Sequence, residues 1–345
     1  MKKQISMKSN CDQDSQLSKQ IVQWYIKNGR SNLPWRKNVT AYRVWISEIM
    51  LQQTQVKTVI PFFKKFINRY PNLKSLSSAN EEEILALWTG LGFYRRAINI
   101  YNAKEIILND FKNRFPKSFD DIVRLPGIGK STAGAIMSLA YQIPYPILDA
   151  NVKRVISRYE SVNNDATHKS NKKLWRLSNK HTPRKNIFSY TQGIMDLGAT
   201  ICHSSKPNCD ICPLQQGCKS AFKVKANKKE TKKQNPTKKI NYALAKSNDS
   251  FLLFKKLEES FWEGLWTPLE LDSYHTFPWK DDIETQEEIA VKHKLSHLNL
   301  DIKIKIYSVE KAFKVKTNKK YKWVNKSNID KYGMPKPIKS IIEKL

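Results

Sequence analysis

The stretch LPGIGKSTAGA, Leu125 to Ala135, decides how the rest of the chain is read. Apolar residues fall at helical spacing just before it, in SFDDIVRL (118–125), and again in STAGAIMSLAYQ (131–142). Gly127 and Gly129 between two helices predict a tight hairpin. Its free backbone N–H groups, with a helix start directly behind them, make an anion site. The letters GKS at Gly129–Ser131 invite a nucleotide-binding P-loop. That loop needs glycine where Arg124 stands and a strand where the pattern is helical, so no nucleotide cofactor is expected. A helix–hairpin–helix gripping a DNA phosphate through Gly127, Gly129 and Lys130 fits better. The bland alternative is an ordinary helix turn.

Outward from the hairpin, residues 17–222 read as consecutive amphipathic helices: SKQIVQWYIKNG, VWISEIMLQQTQVKTVIPFFKKFINRY, NEEEILALWTGLG, NVKRVISRYE and FSYTQGIMDLGATIC. Start signals agree, with Asn80 ahead of Glu81–Glu83 and Ser118 ahead of Asp120 and Asp121. Residues 1–16 are polar and expected to be disordered. Residues 223–239 carry eight lysines and one glutamate and read as a solvated linker. Beyond it YALA, SFLLF, LDIKIKIYSV and KYKWV are β-rich and partly alternating, and SIIEKL closes as a helix. Residues 240–345 therefore form a second, mixed α/β domain. At 345 residues, two domains match the length.

The charge is +30, from 61 Lys plus Arg against 31 Asp plus Glu. It points to a polyanionic partner, although a general excess of lysine raises it too. No apolar run is long enough to span a membrane, and none follows the first lysines, so a cytoplasmic protein without a membrane partner is expected.

Three features carry chemistry. Cys202, Cys209, Cys212 and Cys218 crowd into one short loop. Only Cys209 and Cys212 have the close pairing usual for zinc, while wider gaps suit a larger [4Fe–4S] cubane; the spacing leaves both open. Cys11 stands apart and reads as incidental. Glu48 is flanked by Val44, Trp45, Ile46, Ile49, Met50 and Leu51, so its helix is apolar nearly all round and buried. A buried carboxyl gains pKa and suits a general acid; a structural Arg partner is the alternative. Glu48, Gln52 and Gln55 fall at i, i+4 and i+7 as one polar stripe facing a ligand. Asp149 in PILDANVKRV reads as a helix N-cap or as a second carboxylate beside the first.

These motifs in this order resemble the iron–sulfur helix–hairpin–helix DNA glycosylases, and among them the adenine DNA glycosylases of the MutY type. The resemblance rests on LPWR (33–36), YRVWISEIMLQQTQV (42–56), LWTGLGFYRRA (87–97), LPGIGKSTAGAI (125–136), ILDANVKRV (147–155), MDLGATIC (195–202) and the four-Cys loop. FWEGLW (261–266) and HKLSHLNLDI (293–302) look like that family's Nudix-like C-terminal domain. It implies a multi-domain protein: an all-α glycosylase domain with an iron–sulfur loop, then a Nudix-like domain. It implies a monomer acting on double-stranded DNA with adenine opposite 8-oxoguanine or guanine. The adenine is flipped out, Glu48 protonates it, and Asp149 steadies an oxocarbenium-like sugar. Leu33, Trp35, Arg36 and Gln192 match adenine-pocket positions. Gln53 and Phe93 match positions that probe the gap, Phe93 standing where Tyr is usual. Ser131, Asn151 and Lys153 join the DNA contacts. Leu295, Ser296 and His297 match the loop that reads the oxidised base, with Leu295 where an aromatic is usual. Two rivals share some of these features: an endonuclease III-like glycosylase/lyase, and a non-catalytic DNA-binding protein. The lyase's nucleophilic lysine would stand at Ser131. The Nudix acidic signature is missing, TQEEI (285–289) being its nearest approach, so no diphosphatase activity is expected.

Overall fold

The structure is a computed structural model that describes residues 14–165, 167–224, 235–257, 261–271, 285–315, 317 and 320–345. Of the expected tail 1–16, residues 1–13 with Cys11 lie outside these, whereas Ser15 caps a helix that opens at Gln16. Of the expected linker 223–239, residues 225–234 lie outside, whereas residues 237–239 already belong to a strand. The helices are α1 (Gln16–Asn28), α2 (Ala41–Leu51), α3 (Val56–Arg69), α4 (Leu73–Ser77), α5 (Glu81–Trp88), α6 (Arg95–Asp110), α7 (Phe119–Val123), α8 (Lys130–Ala140), α9 (Ala150–Glu160), α10 (His168–His181) and α11 (Ile187–Thr200). Seven strands and a closing helix, α12 (Lys336–Ile342), follow. No helix among the described residues is long and apolar enough to cross a membrane.

The chain packs as two compact units, Met1–Gln53 with Ile107–Glu230, and Thr54–Ile106 with Thr231–Leu345. In the first, α2 lies against α8, and α11 against α1, α8 and α9. Val44, Trp45, Ile46, Ile49 and Met50 are all buried, as an all-round apolar helix demands. The expected caps form: Ser118 Oγ accepts the Asp121 N–H, and Asn80 and Glu83 close a reciprocal capping box.

The run 44–70 is two helices where the periodicity read one. α2 stops at Leu51, Gln53 takes a left-handed φ of 56°, and Gln55 caps α3. The stripe Glu48–Gln52–Gln55 is therefore broken. No glycine or proline marks the junction, so the turn left no sequence signal.

In the second unit β1 (Thr237–Ser247) pairs parallel with β6 (Asn299–Ser308) and antiparallel with β2 (Ser250–Lys255). β2 also pairs with β3 (Trp266–Thr267) and β7 (Tyr321–Asn325), β4 (Leu269–Glu270) with β1, and β5 (Thr285–Lys294) with β6. The sheet is mixed, and alternation along β6 buries Leu300, Ile302, Ile304 and Ile306. TQEEI lies in strand β5. Helix α5 packs beside this sheet: buried Lys255 reaches Glu81 at 3.1 Å, and a Cβ on Gly333 would sit 2.6 Å from that of Leu85.

Candidate active site

The hairpin and the loop entering α9 are fastened to one another. Gly127 has a φ of 78°, which strains any side chain, and its carbonyl accepts the Gln52 amide at 3.2 Å. Gly129 caps α8 in an extended conformation with nothing within 4 Å of a would-be Cβ, so its backbone face is open. Exposed Lys130 places Nζ 4.3 Å from the Trp175 ring centroid. Ser131 Oγ accepts the Leu148 N–H at 2.9 Å. A Cβ on Gly134 would lie 2.4 Å from the Pro146 carbonyl, so this close approach requires glycine. Together they fix the residue that follows, Asp149.

Asp149 Oδ1 accepts the N–H groups of Asn151 at 2.7 Å and Val152 at 2.8 Å, so it is an N-cap. Burial pushes its carboxyl above the usual range, and those two bonds and Arg154 pull against that. It also faces Glu48 electrostatically. Glu48 is half-buried on α2. Burial, then the charge of Asp149, push the Glu48 carboxyl up to about 8, against a smaller pull from Arg36. Glu48 thus holds its proton at neutral pH. Both readings of Asp149 describe one residue.

Arg36 is not hydrogen-bonded to Glu48. Its two terminal nitrogens donate to Asp196 at 2.7 Å each, while Nε finds no partner among the described residues. Arg30 adds donors to the same carboxylate at 2.8 Å from Nε and 3.0 Å from its backbone. Asp196 is fully buried; burial alone would raise it, but Arg36 and Arg30 outweigh burial and hold it below the usual range. Sequence reading missed Asp196. The signal was available: a lone acid in the apolar helix GIMDLGA, the pattern that singled out Glu48. Trp35 and Leu33, buried to 6% and 7%, flank Pro34 at the short helical turn carrying Arg36. Gln192 sits four residues before Asp196 on the same face of α11, is 5% exposed, and makes no side-chain hydrogen bond among the described residues.

Among the remaining candidates of this unit, Gln53 is exposed, Lys153 is half-buried, and Asn151 Oδ1 accepts from Arg154 at 2.8 Å. In the second unit Phe93 has a left-handed φ of 50°, is 43% exposed, and lies 5.3 Å under the Arg96 guanidinium. The Arg96 fork also holds the Gly92 carbonyl at 2.9 Å. Leu295, Ser296 and His297 form the tip of the β5–β6 hairpin, closed by Leu295 N–H donating to Leu298. Ser296 and His297 are exposed there, 3.3 Å apart between Oγ and Nδ1.

Cys202, Cys209, Cys212 and Cys218 are all free and line one pocket with Val155, Leu197, Ile201 and Leu214. Burial pushes the Cys212 thiol up to about 11, and the other three cysteines add to it, so the four sulfurs share one electrostatic site. Arg158 donates to Cys202 Sγ at 3.3 Å. Among the described residues no group of three His, Cys, Asp or Glu converges on a point that would hold one metal ion. Four free thiols lining one apolar pocket are the soft donor set that an iron–sulfur centre requires.

The fold of the first unit, helices around a hairpin with an open backbone face, is that of a helix–hairpin–helix base excision repair protein. The chain matches the HhH-GPD superfamily of base excision DNA repair proteins over residues 46–180 and a NUDIX domain over 241–344. It is 43% identical to the adenine DNA glycosylase of Buchnera aphidicola subsp. Acyrthosiphon pisum, over 94% of this chain and 96% of that one. The chain belongs to the adenine DNA glycosylase family. A thermostable thymine-DNA glycosylase structure is similar at 29% identity and TM-score 0.55, covering 60% of this chain and 95% of that one. An endonuclease III–DNA complex shares the fold at 20% identity and TM-score 0.52, covering 60% and 94%.

Proposed function

We infer that this protein removes adenine from DNA in which it is mispaired with 8-oxoguanine or guanine, acting as a monomer on chromosomal DNA in the cytoplasm. The observation that carries the chemistry is the pair Glu48 and Asp149, one carboxyl protonated and one capped, in the same unit. A base inside a duplex is out of reach, so the adenine is flipped out. Glu48 gives its proton to an adenine ring nitrogen, the N-glycosidic bond breaks with its electrons leaving on the base, and the ionised Glu48 helps activate the water that adds to the sugar. Asp149 stabilises the positive charge that develops on the sugar ring. Leu33, Trp35 and Gln192 wall the adenine, with Arg36 held in place by Asp196. Gln53 and Phe93 probe the gap, and Leu295, Ser296 and His297 read the oxidised base.

Cys202, Cys209, Cys212 and Cys218 are the residues that would hold a [4Fe–4S] cluster. Bound there, the cluster would hold the cysteine loop in one shape. The experiment is strand nicking on a duplex with one A:8-oxoguanine pair, with and without alkali. Nicking only after alkali supports a glycosylase without lyase activity. Nicking without alkali favours the endonuclease III-like reading. No base loss leaves a DNA-binding protein.

A further inference from the structure

We propose that the outer face of α10 is a second DNA-backbone surface, continuous with the hairpin that grips a phosphate; this rests on the DNA-repair reading above. Helix α10, HKSNKKLWRLSNKH, carries five cations and no acid. Lys169, Lys172, Lys173, Arg176 and Lys180 are exposed, while Leu174, Ser178 and His181 are buried. At about 100° per residue the five cations fall within an arc of about 100°, opposite the buried face. Like charges three and four residues apart destabilise a helix. Among the described residues only Lys180 of the five comes within ion-pair distance of a carboxylate, Glu160, at 4.0 Å; Asp165 caps the helix start through Thr167. Glu160 already binds Lys219 at 2.7 Å and His181 at 2.8 Å. The stripe is therefore an unneutralised row of charge, held in place by the packing of the opposite face.

A polyanion would relieve that repulsion, and geometry favours a nucleic-acid backbone. A helix of 14 residues is about 21 Å long, the rise of about six base pairs. Trp175 lies beside the stripe, and Lys130, first residue of the hairpin's second helix, sits over its ring at 4.3 Å. The hairpin's anion site and the stripe thus meet where these two side chains touch. Duplex DNA seated on the hairpin would continue along α10 through phosphates alone, without reading sequence.

The test uses the full-length protein and an undamaged duplex, followed by anisotropy over a range of KCl. A variant with Lys169, Lys172, Lys173 and Arg176 all changed to Gln should flatten the slope of log K against log[salt] by about 0.9 for each phosphate that is no longer neutralised. The total change should correspond to at least two phosphates. K172Q/K173Q alone should give an intermediate slope, which keeps the test sharp if the fourfold variant folds poorly. A steep wild-type slope that neither variant alters would overturn the α10 surface and leave the glycosylase reading standing. A wild-type protein that shows no salt-sensitive binding would instead strike the DNA-repair reading itself.

Discussion

The Ser131 hydroxyl accepts the backbone N–H of Leu148 at 2.9 Å, one residue before Asp149. The second helix of the hairpin thereby fixes the entry to the helix that Asp149 caps. The Ser131 side chain here is engaged with backbone.

Ser131→Ala should leave the Leu148 N–H without its partner. We expect a stability loss of about 1–3 kcal/mol in urea unfolding, as for an abandoned part-buried donor. Adenine release should fall modestly, because Asp149 keeps its own two backbone donors. A variant as stable and as active as wild type would show that Gly134 and the loop alone position Asp149.

Glu48 should set the alkaline limit of activity. Its pKa of about 8 means the acid form is lost as pH rises through that value, so adenine release should fall there. Glu48→Gln, which cannot donate a proton, should lower the rate about 10²–10⁴-fold while lesion binding persists. The same shift affects stability. The folded pKa lies above the unfolded value of about 4.3, so the linked stability is present below that pH and is lost as pH rises through about 8. Thermal melts should therefore show the Gln variant gaining on wild type toward alkaline pH. Parallel melting curves at pH 6 and pH 9 would refute the assignment of the raised pKa to Glu48.

Legibility followed the range of the physics. The hairpin, the caps at Asn80 and Ser118, and strands β1, β2, β6 and β7 are written in neighbouring residues. So are the buried α2 and its unusual carboxyl. The turn at Gln53 was not legible, because tertiary packing forces a left-handed residue where the sequence offers no glycine. Asp196 carries a local mark, a lone acid in an apolar helix, but its partners Arg30 and Arg36 lie 166 and 160 residues away and leave no local trace. The partition of residues 54–106 with the C-terminal sheet also escaped, since pairings such as Lys255 with Glu81 have no local trace.

Asp196 should be among the least replaceable residues of the first unit. Asp196→Asn would leave Arg36, with 4% of its side chain exposed, without its anion. Breaking a buried pair in this way costs about 3–5 kcal/mol. The folded carboxyl lies below its ordinary value, so its contribution is present above about pH 3.9 and is lost as pH falls through the folded pKa. Chemical denaturation near neutral pH checks the first expectation. A loss under about 1 kcal/mol, the range of exposed pairs, would mean that the clasp is solvated.

The four cysteines should bind iron and sulfide together. Purified protein should be brown and should contain both elements, and Cys209→Ser should lower the iron content and weaken DNA binding. The loop sits against α9, where Arg158 reaches the carbonyls of His203 and Ser204 at 2.6 Å each, so the helical core should survive in circular dichroism. One equivalent of zinc without sulfide would overturn the cluster.

The Ser296–His297 tip should govern which mispair is preferred. A mispair enzyme must read the base opposite adenine, or it would strip adenine from normal pairs. The tip projects two exposed polar side chains from a hairpin whose register, Lys294 with Asn299, leaves four residues in the turn. Asn235 steadies it by donating to the Ser296 carbonyl at 3.2 Å, so the backbone is held while both side chains stay available. A hydroxyl and an imidazole can each donate or accept, which suits the added N–H and carbonyl of 8-oxoguanine. Changing both residues to Ala should narrow the preference for A:8-oxoguanine over A:G. Turnover of A:G should change little, because Glu48 and Asp149 are untouched. If the double variant discriminates as well as wild type, the tip is only a polar turn, and recognition of the oxidised base passes to residues such as Gln53 and Phe93.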